Sequence, residues 1–487
     1  MRWGVFGGPY GTILRAMARV ARSIARGMGG RVTGETLLGQ LGGGQRRATA
    51  RLASAFAREG ARLYLVGGAV RDLLLGRAVP DLDFTTDAAP AASRAAAGLA
   101  GASGIHSANE RFATVGLILE GVAIEITTFR GEPGGDLHAD LAGRDFTINA
   151  MAVAIVGGPD EPQGALIDPF DGRGDLHRRT IRGVADPHAR IADDPLRALR
   201  AVRFAADFES IIEPETRAAI LAHAPALGRI SRERIGAELT RVLLTADVAG
   251  ALQGLERCGL LEATLPEVLA LVNFDAEGSK DLWTHTRLVV AATPPRPTVR
   301  WAALLHDSAK PQTYGTQGGE IHFFGHETIG GRIAQGALSR LRLEREMVDA
   351  VRILVELHGR PSQYDAEWSD GAVRRLMLDT GPWLADLLDL ARADVTSARP
   401  WVRRQAQERI DGLEAHCARL LAEQELTKLQ SPLDGNALMT LFDRRPGPWI
   451  RPLKEYLRNL VIDGDLAHDD VAGATVAARR WMAAQEG

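Results

Sequence analysis

The chain of 487 residues contains only two cysteines, Cys258 and Cys417, and they lie far apart in the sequence. They suggest neither a disulfide framework nor a Cys-x-x-Cys metal site, and this usage fits a reducing, cytoplasmic location. No apolar run is long enough to span a bilayer, so we expect no membrane partner. Neither sign of charge dominates, because 58 basic residues stand against 61 acidic ones. Without a global basic surface, any nucleic-acid site must be a local patch.

Acidic side chains are missing from the start of the chain, where the first one is Glu35. Arginines recur there every three or four residues, at Arg15, Arg19, Arg22 and Arg26, and would form one basic face of a helix. Such a start is typical of a targeting or membrane-surface segment. The interpretation we favour is a poorly ordered leader or a start codon assigned too early. Residues 1–60 are therefore predicted to be an N-terminal extension, with a linker at residues 42–44 and a helix over 46–59.

A chain of this length is expected to form two to four domains. From Leu63 onward, the sequence pattern changes to short strands separated by turns. Leu63–Val66 is an apolar run that ends at Gly67 and Gly68, which predicts a buried strand entering a tight turn. Further predicted elements are a helix over residues 70–75 and strands over 78–85, 115–119 and 122–129. From Pro195 onward the pattern is helical. These observations predict an α+β fold, with a small head followed by a long all-α body.

Two aspartates, Asp81 and Asp83, lie two residues apart in the second predicted strand and would point to the same face. Such a pair can hold Mg²⁺, which takes phosphate oxygens as further ligands, and a second ion would flank the attacking and leaving oxygens. A solvated strand end is the usual explanation of an isolated Asp-x-Asp. The turn at Gly67 and Gly68 favours the functional interpretation, because its N–H groups can approach a triphosphate while Arg71 binds phosphate.

Six segments resemble, in the same order, the motifs of the tRNA nucleotidyltransferase (CCA-adding) / poly(A) polymerase family, in its bacterial-type class. They are residues 67–72 (GGAVRD), 81–86 (DLDFTT), 144–152 (RDFTINAMA), 168–172 (DPFDG), 193–204 (DDPLRALRAVRF) and 231–238 (SRERIGAE). The resemblance extends over residues 62–475. It implies a polymerase-β-like mixed-sheet head over 61–190, a helical neck over 191–260, an HD-type domain over 261–400 and an RNA-binding helical tail over 401–487.

The resemblance also implies an activity, its partners and its site. The expected enzyme adds C from CTP to the 3′ end of tRNA and releases pyrophosphate. An enzyme that completes the CCA sequence also adds A from ATP. Asp81, Asp83 and a third candidate carboxylate, Glu125, would be catalytic with Mg²⁺, although Glu125 is equally well explained as a solvent-facing strand residue. The implied nucleotide-binding residues are Gly67, Gly68, Arg71, Arg200 and Arg203 for phosphates, and Arg144, Asp145 and Asn149 for the sugar. Candidates for gripping the tRNA are Arg403, Arg404, Arg444, Arg445, Arg451 and Lys454.

The segment after Asp193 would select the base. Asp194 and Arg197 are three residues apart, so they would be neighbours on one helical face. Cytosine and adenine each present an amino donor beside a ring-nitrogen acceptor, which a carboxylate and a guanidinium can pair. Uracil and guanine present the opposite pattern and would leave buried groups unpaired. The alternative interpretation of these residues is an ordinary helix N-terminus, with Pro195 in its first turn.

Two departures from the family pattern concern residues 131–143. Gly143 stands where the family usually has an arginine directly before Arg144. Only thirteen residues separate Arg130 from Arg144, and relatives with full CCA-adding activity carry a longer loop there. Because members that lack this loop add only CC, we state as a hypothesis that the chain is a CC-adding form that needs a separate A-adding enzyme. Poly(A) synthesis is a further alternative that residues 109–115 do not favour.

A second metal site is predicted in the helical body. His285, His306, Asp307 and Asp394 resemble the H…HD…D pattern of HD-superfamily phosphohydrolases. Such ligands suit Mn²⁺, Ni²⁺, Fe²⁺ or Mg²⁺, and His326 and His358 are candidates for holding a second ion. The pattern predicts metal binding and suggests hydrolysis of a 2′,3′-cyclic phosphate or phosphate ester. The alternative is an HD domain that serves only as a scaffold. No motif reports an oligomeric state.

Overall fold

The computed structural model describes residues 34–109, 113–130, 135–156, 162–275, 281–318, 320–365, 367–396, 399–422 and 430–486. The chain divides into two compact units, Met1–Leu227 and Gly228–Gly487. This division falls inside the segment predicted to be the neck. The arginine face predicted before residue 30 lies outside the described residues.

The first unit combines helices with one large sheet. Its helices are α1 (Gly34–Leu38), α2 (Gly43–Arg58), α3 (Gly68–Leu74), α4 (Pro90–Leu99), α5 (Leu137–Ala142), α6 (Gly172–Arg178), α7 (Pro187–Asp193), α8 (Leu196–Asp207) and α9 (Pro214–His223), with a short 3₁₀ turn at Thr147–Asn149. Its strands are β1 (Leu63–Val66), β2 (Leu82–Thr86), β3 (Ser103–Asn109), β4 (Thr114–Leu119), β5 (Val122–Thr128), β6 (Ala152–Val156), β7 (Gln163–Ile167), β8 (Thr180–Ile181) and β9 (Ile211–Ile212).

Seven strands form one mixed sheet in the order β3-β4-β5-β2-β1-β6-β7, which confirms the predicted α+β class. Only the pair β2 and β5 is parallel among these neighbours; the others are antiparallel. The predicted hairpin of β4 and β5 is present. Strand β2 begins at Leu82 rather than at residue 78, since Pro80 has no N–H for a ladder and the Val79 carbonyl accepts from the Gln45 amide at 2.7 Å.

The prediction that residues 1–60 form an extension is wrong for the described part of that segment. Leu37 in α1 and Leu52 and Phe56 in α2 are buried in the same apolar core as the central strands. The predicted linker at residues 42–44 is also wrong, because α2 begins at Gly43. The Gln45 side chain accepts a hydrogen bond from the Gly42 N–H at 3.0 Å, which satisfies a donor at the helix start.

The second unit is mainly helical. Its helices are α10 (Arg232–Leu243), α11 (Val248–Arg257), α12 (Leu261–Thr264), α13 (Pro266–Val272), α14 (Leu282–Ala292), α15 (Pro297–Leu305), α16 (Lys310–Thr313), α17 (His326–Arg340), α18 (Arg345–Leu357), α19 (Asp370–Thr380), α20 (Leu384–Asp394), α21 (Pro400–Ala422), α22 (Gly435–Phe442), α23 (Ile450–Asp463) and α24 (Val471–Glu486). Among the described residues, no helix combines the length and the apolar character needed to cross a membrane.

The prediction of a purely helical chain after Pro195 is wrong at two places. Strand β9 pairs in parallel with β8, through Thr180–Ile211 and Ile181–Ile212. In the second unit, β10 (Tyr314–Gln317) and β11 (Glu320–Phe323) form an antiparallel hairpin. Both strand pairs are short, and each strand depends on its partner. The helical periodicity of the surrounding sequence therefore gave no sign of them.

Candidate active sites

Three carboxylates meet on the exposed face of the head sheet. Asp83 in β2 lies directly opposite Glu125 in the parallel strand β5, and Asp81 immediately precedes β2. All three residues are exposed at this surface. The pKa of Asp83 is raised, first by desolvation and then by repulsion from Glu125 and Asp81, while Arg144 acts in the opposite direction. Because carboxylates repel one another unless a cation lies between them, these side chains fit a divalent metal such as Mg²⁺.

A glycine turn brings an arginine to this face. Gly67 precedes α3 with φ +71°, a conformation that favours glycine. A Cβ at this position would lie 2.8 Å from an Nη of Arg144. The Nε of Arg144 is buried and has no hydrogen-bond partner among the described residues. Gly67 therefore leaves the space that a guanidinium with an unused donor occupies beside the carboxylates.

Asp145 organises the side chains behind the turn. It is buried, and its Oδ1 accepts from the Phe146 N–H at 2.8 Å and from the Asn149 amide at 3.0 Å. Its Oδ2 accepts two hydrogen bonds from Arg200, at 2.9 and 2.7 Å. Burial would raise the pKa of Asp145, but Arg200 and these hydrogen bonds lower it to about 2. Both oxygens have protein partners, so Asp145 orients Arg200 and is not open to a sugar in this structure.

Arg71 is held in place on both sides. It donates to the Asp72 carboxylate at 2.9 and 3.0 Å and to the Asn149 Oδ1 at 2.6 Å. Its guanidinium lies 5.2 Å from the ring centre of Phe204 and 4.8 Å from that of Phe208. The arginine predicted to bind phosphate is therefore preorganised by one carboxylate, one amide and two aromatic rings.

Phe204 is a contact point for three arginines, since Arg200 and Arg203 also lie over its ring, at 5.2 and 4.3 Å. Arg203 further donates to Asp207 at 3.3 Å. Arg200 and Arg203 were predicted to hold phosphates, and each has an intramolecular ion pair in this structure. Sequence reasoning missed the aromatic support, although a phenylalanine four residues after Arg200 is a readable signal for one helical face.

Asp194 lies just before the helix that carries Arg197 rather than on it, although the two residues are neighbours, because the Asp194 carbonyl accepts from the Arg197 N–H at 3.0 Å. Asp194 has an extended backbone, with φ −144°, and lies between α7 and α8. Pro195 has no N–H, so it interrupts the helical ladder there. The Asp194 carboxylate accepts from the Leu196 N–H at 3.2 Å, as in an ordinary helix N-terminus. The Arg197 guanidinium donates to the carbonyls of Arg190 and Gly143 at 3.0 and 2.9 Å.

The short segment before Arg144 is tied to the head. Helix α5 occupies most of its described part, and Asp136 caps that helix by accepting from the Ala139 N–H at 2.7 Å. Asp140 is buried and accepts from the Arg130 N–H and from Arg144, each at 3.3 Å. Most of residues 135–143, the described part of this segment, are therefore helical.

The second unit brings the four predicted HD residues together. The Nε2 of His285 lies 3.0 Å from an Asp394 oxygen and 3.5 Å from the Asp307 Oδ2. The Nε2 of His306 lies 3.2 Å from the Asp307 Oδ2 and 3.5 Å from the Asp394 carboxylate. The two histidine Nε2 atoms are 3.3 Å apart. Residues separated by more than one hundred positions thus converge from α14, α20 and the end of α15.

A second group of ligand atoms shares Asp307. The Nε2 atoms of His326 and His358 lie 3.8 and 3.9 Å from the Asp307 Oδ1. That oxygen is buried and has no hydrogen-bond partner among the described residues. The Oδ2 of Asp307 accepts from Lys310 at 2.7 Å. Asp307 thus presents one oxygen to each histidine pair, an arrangement that suits a carboxylate shared by two cations.

The outer nitrogens of these histidines are all engaged. The Nδ1 of His285 contacts the Thr396 hydroxyl at 2.8 Å. The Nδ1 atoms of His306, His326 and His358 contact the main-chain carbonyls of Ala303, Phe323 and Val355, at 2.8, 2.8 and 2.7 Å. Hydrogen bonds to Nδ1 leave each Nε2 as the ligand atom and orient it toward Asp307, as supporting contacts do around protein metals.

The charges of this cluster also fit a cation. Desolvation would lower the pKa of His306, but Asp307 and Asp394 raise it to about 10. The pKa of His358 is lowered, by burial and by the neighbouring His306. The buried carboxylate of Asp307 and the half-buried one of Asp394 therefore favour a positive charge within a few ångströms. A proton on His306 supplies it when metal is absent, and a divalent cation can supply it instead.

Three family models match the chain in succession. Residues 63–182 match the Poly A polymerase head domain, residues 211–271 match the probable RNA and SrmB-binding site of polymerase A, and residues 286–399 match the HD domain. The first contains the carboxylate face, and the third contains five of the six residues of the histidine cluster and begins directly after the sixth, His285.

Two curated relatives match most of the chain. The A-adding tRNA nucleotidyltransferase of Deinococcus radiodurans is 32% identical over 443 residues, which cover 86% of this chain and 95% of that protein. The CC-adding tRNA nucleotidyltransferase of Thermus thermophilus is 33% identical over 410 residues, covering 81% of this chain and 88% of the relative. The chain belongs to the tRNA nucleotidyltransferase family. It is accordingly an enzyme, as the motif order in its head and neck predicted.

A solved structure of a tRNA nucleotidyltransferase has a similar fold over most of this chain. The CCA-adding enzyme of Bacillus stearothermophilus in complex with CTP matches with a TM-score of 0.63 and 26% identity, covering 89% of this chain and 97% of that one. The relatives named here include an A-adding, a CC-adding and a CCA-adding enzyme. Family membership therefore leaves the nucleotide specificity of this tRNA nucleotidyltransferase to be decided by its own residues.

Several supporting residues of this tRNA nucleotidyltransferase were not predicted. Asp72 contacts Arg71, Asp140 contacts Arg144, Lys310 contacts Asp307, and Thr396 contacts His285. Asp72 and Lys310 lie within the motifs already recognised, one and three residues from their partners. Thr396 is far from His285 in sequence, and no spacing rule would have linked them. The predicted tRNA-gripping residues Arg403, Arg404, Arg444, Arg445, Arg451 and Lys454 are all exposed.

Proposed function

We propose that the head transfers nucleotides from CTP to the 3′ end of tRNA. The observation that carries this proposal is the set of three carboxylates, Asp81, Asp83 and Glu125, beside the turn at Gly67. In the reaction, the 3′-hydroxyl oxygen of the RNA bonds to the α-phosphorus of the nucleotide, the bond to the β-phosphate oxygen breaks, and pyrophosphate leaves. The hydroxyl proton is released to solvent. Asp81 and Asp83 would hold Mg²⁺, which would neutralise negative charge on the reacting phosphate.

The arginines of the head have complementary roles in this proposal. Arg144 carries an unused donor next to Asp83, and it would contact the sugar or a phosphate of the incoming nucleotide. Arg71 and Arg200 would bind phosphates. Asp145 and Asn149 would act as positioning residues, because their polar atoms bind Arg200 and Arg71. Exposed arginines of the tail would grip tRNA through phosphates and shape.

For nucleotide specificity, we propose a CC-adding enzyme that depends on a separate A-adding enzyme. The support is the short segment between Arg130 and Arg144, in which α5 and the buried Asp140 leave little chain free to rearrange. A switch from C to A at one site requires the site to change shape, and a segment anchored by buried ion pairs resists that change. Asp194 and Arg197 remain the candidates for base selection, with their roles untested.

The test is nucleotide addition to a tRNA that lacks its 3′ CCA, with CTP alone, ATP alone and both. We expect two C residues to be added and no A, and no addition by the Asp81→Ala/Asp83→Ala variant. Addition of a terminal A at a rate similar to C would refute the CC-adding proposal and leave the transfer activity standing. Failure to incorporate CTP by a folded protein would refute the transfer proposal itself.

A second candidate activity is metal-dependent hydrolysis of a phosphate ester in the HD domain. Its support is the set of four histidines whose Nε2 atoms surround Asp307 while their Nδ1 atoms are bound elsewhere. A bound Mn²⁺, Ni²⁺, Fe²⁺ or Mg²⁺ ion would act as a Lewis acid on the phosphate. Water would bond to phosphorus, the bond to one ester oxygen would break, and that oxygen would take up the proton.

Metal content gives a test that does not depend on turnover. After dialysis against Mn²⁺ and removal of free metal, we expect two retained ions per chain at this cluster by elemental analysis. The His326→Ala/His358→Ala variant should retain one, and the His306→Ala/Asp307→Ala variant none. Unchanged hydrolysis of a 2′,3′-cyclic nucleotide by the latter variant would refute the second activity. Equal metal content in all three proteins would refute the metal cluster.

A further inference from the structure

An aromatic hairpin lies in the sequence between two members of the HD cluster. Tyr314 in β10 pairs directly with Phe323 in β11, and their ring centres are 6.1 Å apart. Phe274 packs against both rings, at 5.6 and 6.3 Å. Only 5% of the chain is aromatic, so three such rings in one cluster are a concentration that helical packing alone does not require. They give the short hairpin a rigid base.

The outer surface of this hairpin presents a planar ring to solvent. Phe324 is 71% exposed, the highest value among the exposed large apolar residues of the described chain. The ring of His322 stacks in parallel on one of its faces, with centres 4.8 Å apart and planes 11° apart. A stacked pair of this kind leaves the outer face of Phe324 free for a further flat, apolar group.

The hairpin is anchored to the HD cluster at both ends. Before it, Lys310 donates to the Asp307 Oδ2 at 2.7 Å and lies 5.4 Å from the Phe323 ring. After it, the Phe323 carbonyl contacts the Nδ1 of His326 at 2.8 Å. Phe324 is two residues from His326, so their Cα atoms are at most about 7.6 Å apart. The exposed ring therefore belongs to a residue that is a close neighbour in the chain of one of the residues that would hold a phosphate.

We propose that Phe324, supported by His322, is a stacking platform for the unpaired base of a nucleoside phosphate or RNA end bound at the HD cluster. The inference rests on the proposed binding of phosphate at that cluster and specifies the substrate class as a nucleotide. Aromatic stacking tolerates every base, because each base has a flat π face. The neighbouring Lys310 favours an anionic ligand over an uncharged partner. The site therefore selects for a base and a phosphate together rather than for a phosphate ester alone.

The test compares a phosphate that carries a base with one that does not. AMP and ribose 5-phosphate are titrated calorimetrically into the Mn²⁺-loaded protein, in an Asp81→Ala/Asp83→Ala background that disables the head. We expect Phe324→Ala to weaken AMP binding roughly five- to hundredfold and to leave ribose 5-phosphate binding unchanged. Phe324→Tyr should restore AMP binding. Trp401→Ala, which removes another exposed aromatic side chain, is the matched control and should leave both affinities unchanged.

The outcomes separate this inference from the proposed hydrolysis. Unchanged AMP affinity in Phe324→Ala would overturn the inference, as would the absence of AMP binding by the parent protein. An equal loss for AMP and ribose 5-phosphate would also overturn it, because the substitution would then act on the phosphate site. Selective loss of AMP binding in a protein that hydrolyses no ester would support the platform and refute the hydrolysis.

Discussion

At the scale of single residues, buried carboxylates of the head fix the positions of arginines that are partly exposed. Asp145 has a pKa of about 2 instead of 3.8 because Arg200, Asn149 and the Phe146 N–H stabilise its charged form. A lowered pKa contributes stability above the unfolded value, and this contribution disappears as the pH falls through the folded value. The same contacts fix the position of Arg200, which we propose to bind a phosphate of the nucleotide. One carboxylate thus contributes both to the free energy of unfolding and to the position of Arg200.

We predict that Asp145→Asn lowers the free energy of unfolding by about 2 kcal/mol at neutral pH. The difference from the parent protein should be constant above about pH 3.8 and should shrink as the pH falls toward 2. Urea denaturation followed by circular dichroism at several pH values measures it. Glu209→Gln is the control, because that carboxylate is exposed and its ion pair with Arg179 contributes little. A difference independent of pH would contradict the assigned pKa.

Substitution of Gly67 tests whether the glycine turn sets the position of the Arg144 guanidinium. Gly67→Ala and Gly60→Ala both place a side chain at a positive φ, +71° and +70°, so each should lose stability, and Gly67→Ala should lose more because its ψ of −132° lies outside the left-handed helical region. A Cβ at Gly67 also meets the Arg144 guanidinium, whereas nothing lies within 4 Å of one at Gly60. Since a guanidinium can move aside, the contact should displace Arg144 rather than unfold the head.

We therefore expect Gly67→Ala to lose roughly ten- to hundredfold in CTP incorporation, while Gly60→Ala keeps the parent rate. The measurement is single-turnover C addition beside thermal unfolding of both variants. Equal rates in the two variants would mean that Arg144 does not act in the reaction.

At the scale of elements, helix ends are joined by one buried side chain in the second unit. Arg300 on α15 donates to the main-chain carbonyls of Leu243 and Thr245, at the end of α10, and of Thr293, at the end of α14. A cation at helix C-termini is favourable, and these carbonyls have no partner within their own helices. Burial lowers the pKa of Arg300. One guanidinium thus satisfies the ends of two helices, including the one that carries His285.

Arg300→Met should keep the volume and leave the carbonyls unpaired. We expect a loss of about 2–4 kcal/mol in the free energy of unfolding of the second unit. Arg345→Met, at a side chain that is 95% exposed, is the matched control and should change stability by less than about 0.5 kcal/mol. Urea unfolding of both variants makes the comparison. A loss as small as that of the control would mean that water satisfies the three carbonyls.

At the scale of the whole molecule, the two candidate metal sites lie in separate compact units. The carboxylate face of Asp81 and Asp83 belongs to the first unit, and the histidine cluster around Asp307 belongs to the second. Oxygen ligands with open coordination suit Mg²⁺ that arrives with a nucleotide. Buried imidazoles suit a resident transition metal. The two sites should therefore respond differently when metal is removed.

We predict that prolonged chelation lowers the unfolding temperature of the second unit and leaves that of the first unit unchanged. A ligand present at one hundred times its Kd stabilises a fold by about 2.7 kcal/mol, and this stabilisation would be lost. Calorimetry of chelated and Mn²⁺-restored protein measures the shift. The His306→Ala/Asp307→Ala variant, as control, should show no response to Mn²⁺. A response equal to that of the parent protein would place the bound metal elsewhere.

The sequence was sufficient for the family and the α+β class, and it named candidate site residues that the structure brings together. Ordered motifs such as Gly67–Asp72 carry that information locally, because their spacing reflects turns and strand faces, whereas His285 and Asp394 meet only in the folded chain. The register of Asp83 with Glu125 was anticipated only as two neighbouring strands, and the structure makes the two residues direct partners. The helix predicted over residues 46–59 is present as α2, but the predicted extension failed in its described part, since the apolar face of α2 is recognisable as core only when the sheet it covers is present.

Only the tertiary structure decided which polar side chains form hydrogen bonds or ion pairs within the protein. Asp194 and Arg197 look like a base-reading pair on one helix in sequence, but Asp194 lies outside the helix and the Arg197 guanidinium donates to two main-chain carbonyls. The amino-acid sequence determined the kind of chemistry, because side-chain types and short spacings do not depend on the fold. The partners of each charge were decided by contacts between distant segments, and no local pattern encodes those contacts.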